Sequence, residues 1–151
     1  GDMFGTMRTA IGMQRALDNA PAVETGETIE RIGLTCAEVL MFATSYGAHA
    51  AGLGDVTGSI DVGKQADIVV LSGDSLAMLP MNNPLGAVVY NAHPGLVADV
   101  FVAGRRVKRD GKLVDVDMDR LRRIAHEARD HVFGEMEGAE TGGAWHPELS
   151  L

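Results

Sequence analysis

The apolar pattern opens on a helix. Met3, Met7, Ala10, Ile11, Gln14 and Leu17 fall on one face at helical spacing, Asp2 is placed to cap it, and Arg8 and Arg15 lie off the stripe. Pro21 is expected to close this helix, because its ring removes a donor and clashes with the preceding turn. After a loop through Gly26, Thr28 is placed to cap a short helical turn over residues 29–32. Thr35-Cys36-Ala37-Glu38 matches a capping box, with the threonine hydroxyl set for the third amide of the helix and the glutamate set to return to the cap amide. Residues 39–43 follow as a helix of about three turns, apolar nearly all round, which predicts burial. Gly47 is expected to break or bend it, and residues 48–51 to add one more turn ended by Gly52.

Beyond Gly52 the periodicity changes. Gly52, Gly54, Gly58 and Gly63 punctuate short segments, a pattern of turns. Ile68-Val69-Val70-Leu71 is an unbroken aliphatic run and predicts a strand covered on both faces, ended by Ser72-Gly73-Asp74-Ser75. Asn83-Pro84 starts a short helix through Val89, with residues 87–90 also readable as a strand. Residues 99–103 alternate as a strand does, and residues 106–109 and 112–114 flank Asp110-Gly111, a strong hairpin signal. Asp117 caps a last helix whose apolar stripe is Met118, Leu121, Ile124, Ala125, Ala128 and Val132. The tail after Gly134 is expected to be extended or irregular. About three or four strands among four or five helices are too few to make a self-sufficient sheet. The pattern therefore predicts a mixed α/β fragment whose sheet expects partners.

Composition narrows the class. With 151 residues, 46% hydrophobic and 23% charged, the chain can hold a core of its own. A formal net charge of -8 argues against a nucleic-acid or anionic-membrane partner. One cysteine, Cys36, makes no internal disulfide, which with eight methionines suits a reducing cytoplasm. No apolar run reaches the ~20 residues of a membrane span, and no signal-peptide pattern opens the chain. The immediate helix cap at Asp2 reads as the start of a piece cut from something longer.

Gly58-Ser59-Ile60-Asp61-Val62-Gly63-Lys64-Gln65-Ala66-Asp67, leading into the aliphatic run 68–71, resembles the C-terminal signature of the amidohydrolase superfamily. Leu34-Thr35-x-x-Glu38, Ala43-Thr44-x-x-Gly47-Ala48 and Gly52-Leu53 are similar to the helix pair before that signature. The run from Val100 to Val107 with Asp110-Gly111-Lys112 is similar to the family's closing hairpin. Asp2-Met3-Phe4 with Met7-Arg8 and Gln14-Arg15 resembles the deaminase and chlorohydrolase branch, and the resemblance spans residues 2–133. It implies a (β/α)8 barrel carrying a small β-sandwich built from both chain ends. Residues 1–52 would be the last barrel helices, 53–116 the sandwich portion, and 117–151 a terminal helix and tail. The resemblance implies zinc or iron in the full-length parent, and hydrolysis of a C–N (or C–Cl) bond on a nitrogen heterocycle.

The residues themselves read the signature as architecture. Gly58 and Gly63 permit turn backbones closed to other residues, and Asp67 can cap a turn through its side chain. No His-x-His pair is present. His49, His93, His126, His131 and His146 are scattered, and the five-residue step from His126 to His131 does not put them on one helix face. The resemblance places the metal aspartate several residues before Gly1. No catalytic, cofactor-binding or metal-ligating residue is therefore assigned to this chain. Cys36, just after a helix cap, reads as a small buried hydrophobe rather than a reactive thiol.

Two classes of function follow. In one, the chain is an inactive segment of a metal-dependent hydrolase acting on a small molecule. Its partners are then the rest of its own barrel, or copies of itself through the apolar surface the barrel would have covered. In the other, it is a stand-alone structural or interaction module derived from a hydrolase end. The intact stripe Met3, Met7 and Ile11 favours the first.

Overall fold

The computed structural model describes residues 1–138. It comprises two compact units, Gly1–Val114 and Asp115–Leu151. The first holds helices α1 (Met3–Thr25), α2 (Cys36–Phe42) and α3 (Ser45–Ala50), the helical turn α4 (Pro84–Gly86), and strands β1 (Ile68–Leu71), β2 (Val97–Val102), β3 (Arg105–Arg109) and β4 (Lys112–Leu113). The second is the helix α5 (Met118–Gly138).

Asp2 caps α1 through its carboxylate, which accepts from the Phe4 amide at 3.0 Å. Contrary to expectation, Pro21 does not end this helix, which runs on to Thr25 and stops at Gly26 in a left-handed conformation. A helix can absorb one missing amide where it is exposed, and the αL glycine supplies the stop instead. The helical turn expected over residues 29–32 does not form. Ile29 and Ile32 are exposed there, so no apolar contact holds a turn that short.

The Thr35–Glu38 capping box is present in both directions. Its helix, however, covers two turns rather than three and breaks at Ala43–Thr44, before Gly47, which lies inside α3. Burial in α2 is confined to Val39, and Met41 and Phe42 stand exposed. Residues 87–91, after α4, take a π-type turn that buries Ala87 and Val89 rather than a strand.

Two small cores result. Met7 and Ile11 of α1 pack with Val39 and Val89, and Met78 packs with Ala87, Ala92 and Leu96. Phe4 and Val88 touch both. Arg8 and Arg15, off the apolar stripe, tie α1 down: Arg8 donates to the Ala92 carbonyl at 2.7 Å, and Arg15 donates to the Leu34 carbonyl at 2.9 Å and the Tyr90 hydroxyl at 2.8 Å.

The sheet is antiparallel in the order β1-β2-β3-β4, with Ile68 opposite Phe101 and Val102 opposite Arg105. Covering β1 on both faces was the expectation. In this chain Val69 and Val70, which point to opposite faces of the strand, are both exposed, so neither face of β1 is fully covered by the described residues. In α5, Asp117 caps the first turn by accepting from the Arg120 amide at 2.9 Å. Contrary to the expected irregular tail after Gly134, residues 135–138 continue α5 to Gly138; the rest of that expected tail lies outside the described residues.

Candidate functional site

The signature residues form a clamp. Asp67 Oδ1 accepts from the Ala103 amide at 2.7 Å, and the neighbouring Ala66 carbonyl accepts from the Gly104 amide at 3.0 Å. Ala103 and Gly104 both have positive φ, 50° and 78°, and form the tight β2–β3 turn. The same arrangement recurs one hairpin later. Asp99 Oδ1 accepts from the Asp110 amide at 3.3 Å, and the Ala98 carbonyl accepts from the Gly111 amide at 2.9 Å. Asp110 and Gly111 again have positive φ, 47° and 77°. Two Ala-Asp dipeptides, 66–67 and 98–99, thus each receive the next turn of the sheet.

Both carboxylates are held ionised by these contacts. The Ala103 amide, then the Thr57 side chain, lower the Asp67 carboxyl below its ordinary range. Asp99 is lowered chiefly by Arg106, whose Nε and Nη2 donate to Oδ1 at 2.9 and 2.5 Å while its guanidinium lies over the Phe101 ring.

Ahead of the clamp, Lys64 donates to the Gly54 carbonyl and to Ser59 Oγ, both at 2.7 Å, and closes the signature loop. Gly58 has φ +92°, and a side chain there would meet Ala48 Cβ at 2.5 Å. The loop therefore sits directly against α3.

Between α1, α2, the signature loop and the sheet lies an open cleft of about 840 Å³. Its walls are mainly apolar, among them Phe4, Met7, Leu40, Ile68, Val97 and Val100, with Asp2, Ser59, Asp67 and Lys108 also on its surface. Asp2 is occupied as the α1 cap, and Asp67 with its turn. Among the described residues no three His, Cys, Asp or Glu side chains converge on a point that could hold a metal ion. His49 lies in α3 against Gly54, His93 accepts from the Gly95 amide, and His126 and His131 are in α5; His146 lies outside the described residues. The donors present therefore do not fit a zinc or iron site. Cys36 is half-buried and packs beside the Val39 core. The arginines that fasten α1 and the Ala-Asp pairs are what a reading of site chemistry passes over. Their signal in the sequence is an Ala-Asp step repeated before each of two turns that end in glycine.

Residues 1–107 match the model of the amidohydrolase family, and the chain belongs to that family. It is 34% identical over 128 residues to a 5-methylthioadenosine/S-adenosylhomocysteine deaminase of Syntrophobacter fumaroxidans, covering 82% of this chain and 27% of that protein. With the corresponding deaminase of Acetivibrio thermocellus it shares 35% identity over 121 residues, 80% of this chain and 26% of the relative. The crystal structure of an adenosine deaminase from Xanthomonas campestris with bound zinc superposes with a TM-score of 0.78 at 34% identity, over 87% of this chain and 28% of that one. An atrazine chlorohydrolase from Arthrobacter aurescens shares the fold, with a TM-score of 0.67 at 21% identity over 83% of this chain and 25% of that one. The chain thus spans about a quarter of the length of the relatives it matches.

Proposed function

We infer that this chain is the C-terminal segment of a metal-dependent deaminase that hydrolyses the exocyclic C–N bond of an adenine nucleoside. The observation that carries the reading is the 34% identity and TM-score of 0.78 to a zinc-bound adenosine deaminase, maintained over 87% of the chain. Dechlorination of a triazine is the weaker reading, since the chlorohydrolase is only 21% identical.

In this reading residues 1–52 are the last helices of a (β/α)8 barrel, 53–116 part of a β-sandwich, and 117–151 the closing helix and tail. A metal held elsewhere in the parent would supply an activated water, since coordination lowers the pKa of water toward ~7. None of the described residues fits that role, so the segment's part is support. The two Ala-Asp clamps fix the sheet, and Arg8 and Arg15 fasten α1 to the segment ending at Ala92. A small-molecule substrate is the parent's partner in this reading, and a cytoplasmic setting is in keeping with the lone Cys36 of this chain. No described helix is long and apolar enough to cross a membrane.

The test is ammonia release by the protein of the complete reading frame from adenosine, 5-methylthioadenosine and S-adenosylhomocysteine, with cytosine, guanine and a chlorotriazine as comparators. The expected result is deamination of at least one adenine nucleoside, abolished by a chelator and restored by zinc or iron. Turnover of the chlorotriazine alone, or chelator-resistant activity, overturns it.

A further inference from the structure

We propose that Asp110-Gly111 is an isomerisation site, where the main chain can reroute through the aspartate side chain, and that the Asp99 clamp holds it closed. Asp110 is the only aspartate or asparagine followed by glycine in the sequence. Glycine matters because the reacting nitrogen belongs to residue 111, and no side chain there shields it. The Asp110 carboxylate is also uncommitted: among the described residues it takes part in no hydrogen bond or ion pair. By contrast, Asp2, Asp67, Asp99 and Asp117 each accept from a backbone amide.

The step needs water alone. The Gly111 nitrogen attacks Asp110 Cγ, its proton and the carboxyl hydroxyl leave as water, and a cyclic imide closes. Water then adds to either ring carbonyl. One addition restores aspartate. The other leaves isoaspartate, with Cβ in the main chain and the α-carboxylate free. Atoms balance, and nothing is oxidised or reduced.

The turn sets the rate. The nitrogen must give up its hydrogen to react, and that hydrogen is held by the Ala98 carbonyl at 2.9 Å. The Asp110 amide is held by Asp99 Oδ1 at 3.3 Å, and Arg106 Nε fixes the same oxygen at 2.9 Å. These bonds keep Asp110 at φ 47° and Gly111 at φ 77°. Asp110 must leave this left-handed turn to bring Cγ against the nitrogen, so reaction follows the fraction of time the turn is open. Isoaspartate would lengthen the main chain by a methylene and end the pairing of Lys108 with Leu113 and of Arg109 with Lys112.

The experiment ages the protein of the complete reading frame near neutral pH. Isoaspartate at position 110 is read by electron-transfer mass spectrometry of the fragment 102–113. The free peptide of residues 105–115 gives the unclamped rate. The folded protein should react about tenfold or more slowly than this peptide. Asp99→Ala should quicken the reaction about fivefold or more, the scale of a lost hydrogen bond to a charged group. Asp67→Ala opens the other turn and should stay within about twofold of wild type. If circular dichroism shows that Asp99→Ala does not fold, Asp99→Asn, which keeps a weaker acceptor, takes its place with about two- to fivefold expected. A peptide that does not isomerise, a wild-type rate equal to the peptide's, an Asp99 variant no faster than wild type, or equal quickening by Asp67→Ala each overturns the proposal.

Discussion

Asp67 and Ala103, 36 residues apart, are joined by a 2.7 Å hydrogen bond from the alanine amide to the carboxylate. The bond explains why an alanine occupies a left-handed position, φ 50°, that favours glycine. The carboxylate holds the first residue of the turn, and the Ala66 carbonyl holds the second.

Two substitutions separate the bond from the backbone strain it holds. Ala103→Gly retains the amide and relieves the left-handed side chain, while adding unfolded-state entropy. These terms are each ~1 kcal/mol and opposed, so the thermal midpoint should barely move. Asp67→Ala removes the acceptor and should lower the midpoint. Differential scanning calorimetry decides; equal losses in both variants would show that the bond does not hold the turn.

Acid should unfold the chain through the same groups. The carboxyls of Asp67, Asp99, Asp74 and Glu38 are all lowered from ordinary values of 3.8 for aspartate and 4.5 for glutamate. A depressed folded value contributes stability that is complete above the unfolded value and is lost as pH falls through the folded one. Stability should therefore hold from neutrality down to about pH 5 and fall below about pH 4. In Asp67→Asn the acid-dependent loss should shrink, because an amide has no proton to gain. A slope unchanged from wild type would exclude Asp67 as a contributor.

Gly58 and Gly63 share φ +92° but differ in surroundings. An alanine at 63 meets nothing within 4 Å, whereas one at 58 would press Ala48 Cβ at 2.5 Å. Gly63→Ala should cost about 1–2 kcal/mol from backbone strain alone. Gly58→Ala should cost more, by about 1–3 kcal/mol of overpacking. Urea titrations of the two variants give the difference, and equal losses would mean α3 yields to the loop.

Ile11 and Leu17 lie on the same expected stripe, yet Ile11 is fully buried and Leu17 is 68% exposed. Ile11→Ala should cost about 2–5 kcal/mol and Leu17→Ala within about 0.5 kcal/mol in this chain. If Leu17→Ala is comparably destabilising, that end of α1 is covered in solution.

The purified chain should hold no stoichiometric zinc or iron and should not release ammonia from adenosine analogues. A hydrolytic site needs about three converging ligands, which the described residues do not bring together. Elemental analysis finding one tightly held metal per chain would contradict this.

What the sequence determined by itself were features closed within a few residues. The Thr35–Glu38 box, the Asp117 cap, the Asp110-Gly111 turn and the β1 run each depend on side-chain-to-backbone bonds or steric limits over short spans. The ten-position signature likewise identified the family, because its glycines and Asp67 answer to turn geometry written in place. Tertiary structure decided the rest. Whether Pro21 ends α1, whether residues 29–32 form a turn, and which side of α2 or β1 is covered depend on what packs against them. Periodicity marks a face as apolar without naming its cover, and so Val39 is buried while Val69 and Val70 are not. The repeated Ala-Asp step is visible in the sequence, but the partners of Asp67 and Arg15 are not, since chain folding alone brings residues 36 and 75 positions apart into contact.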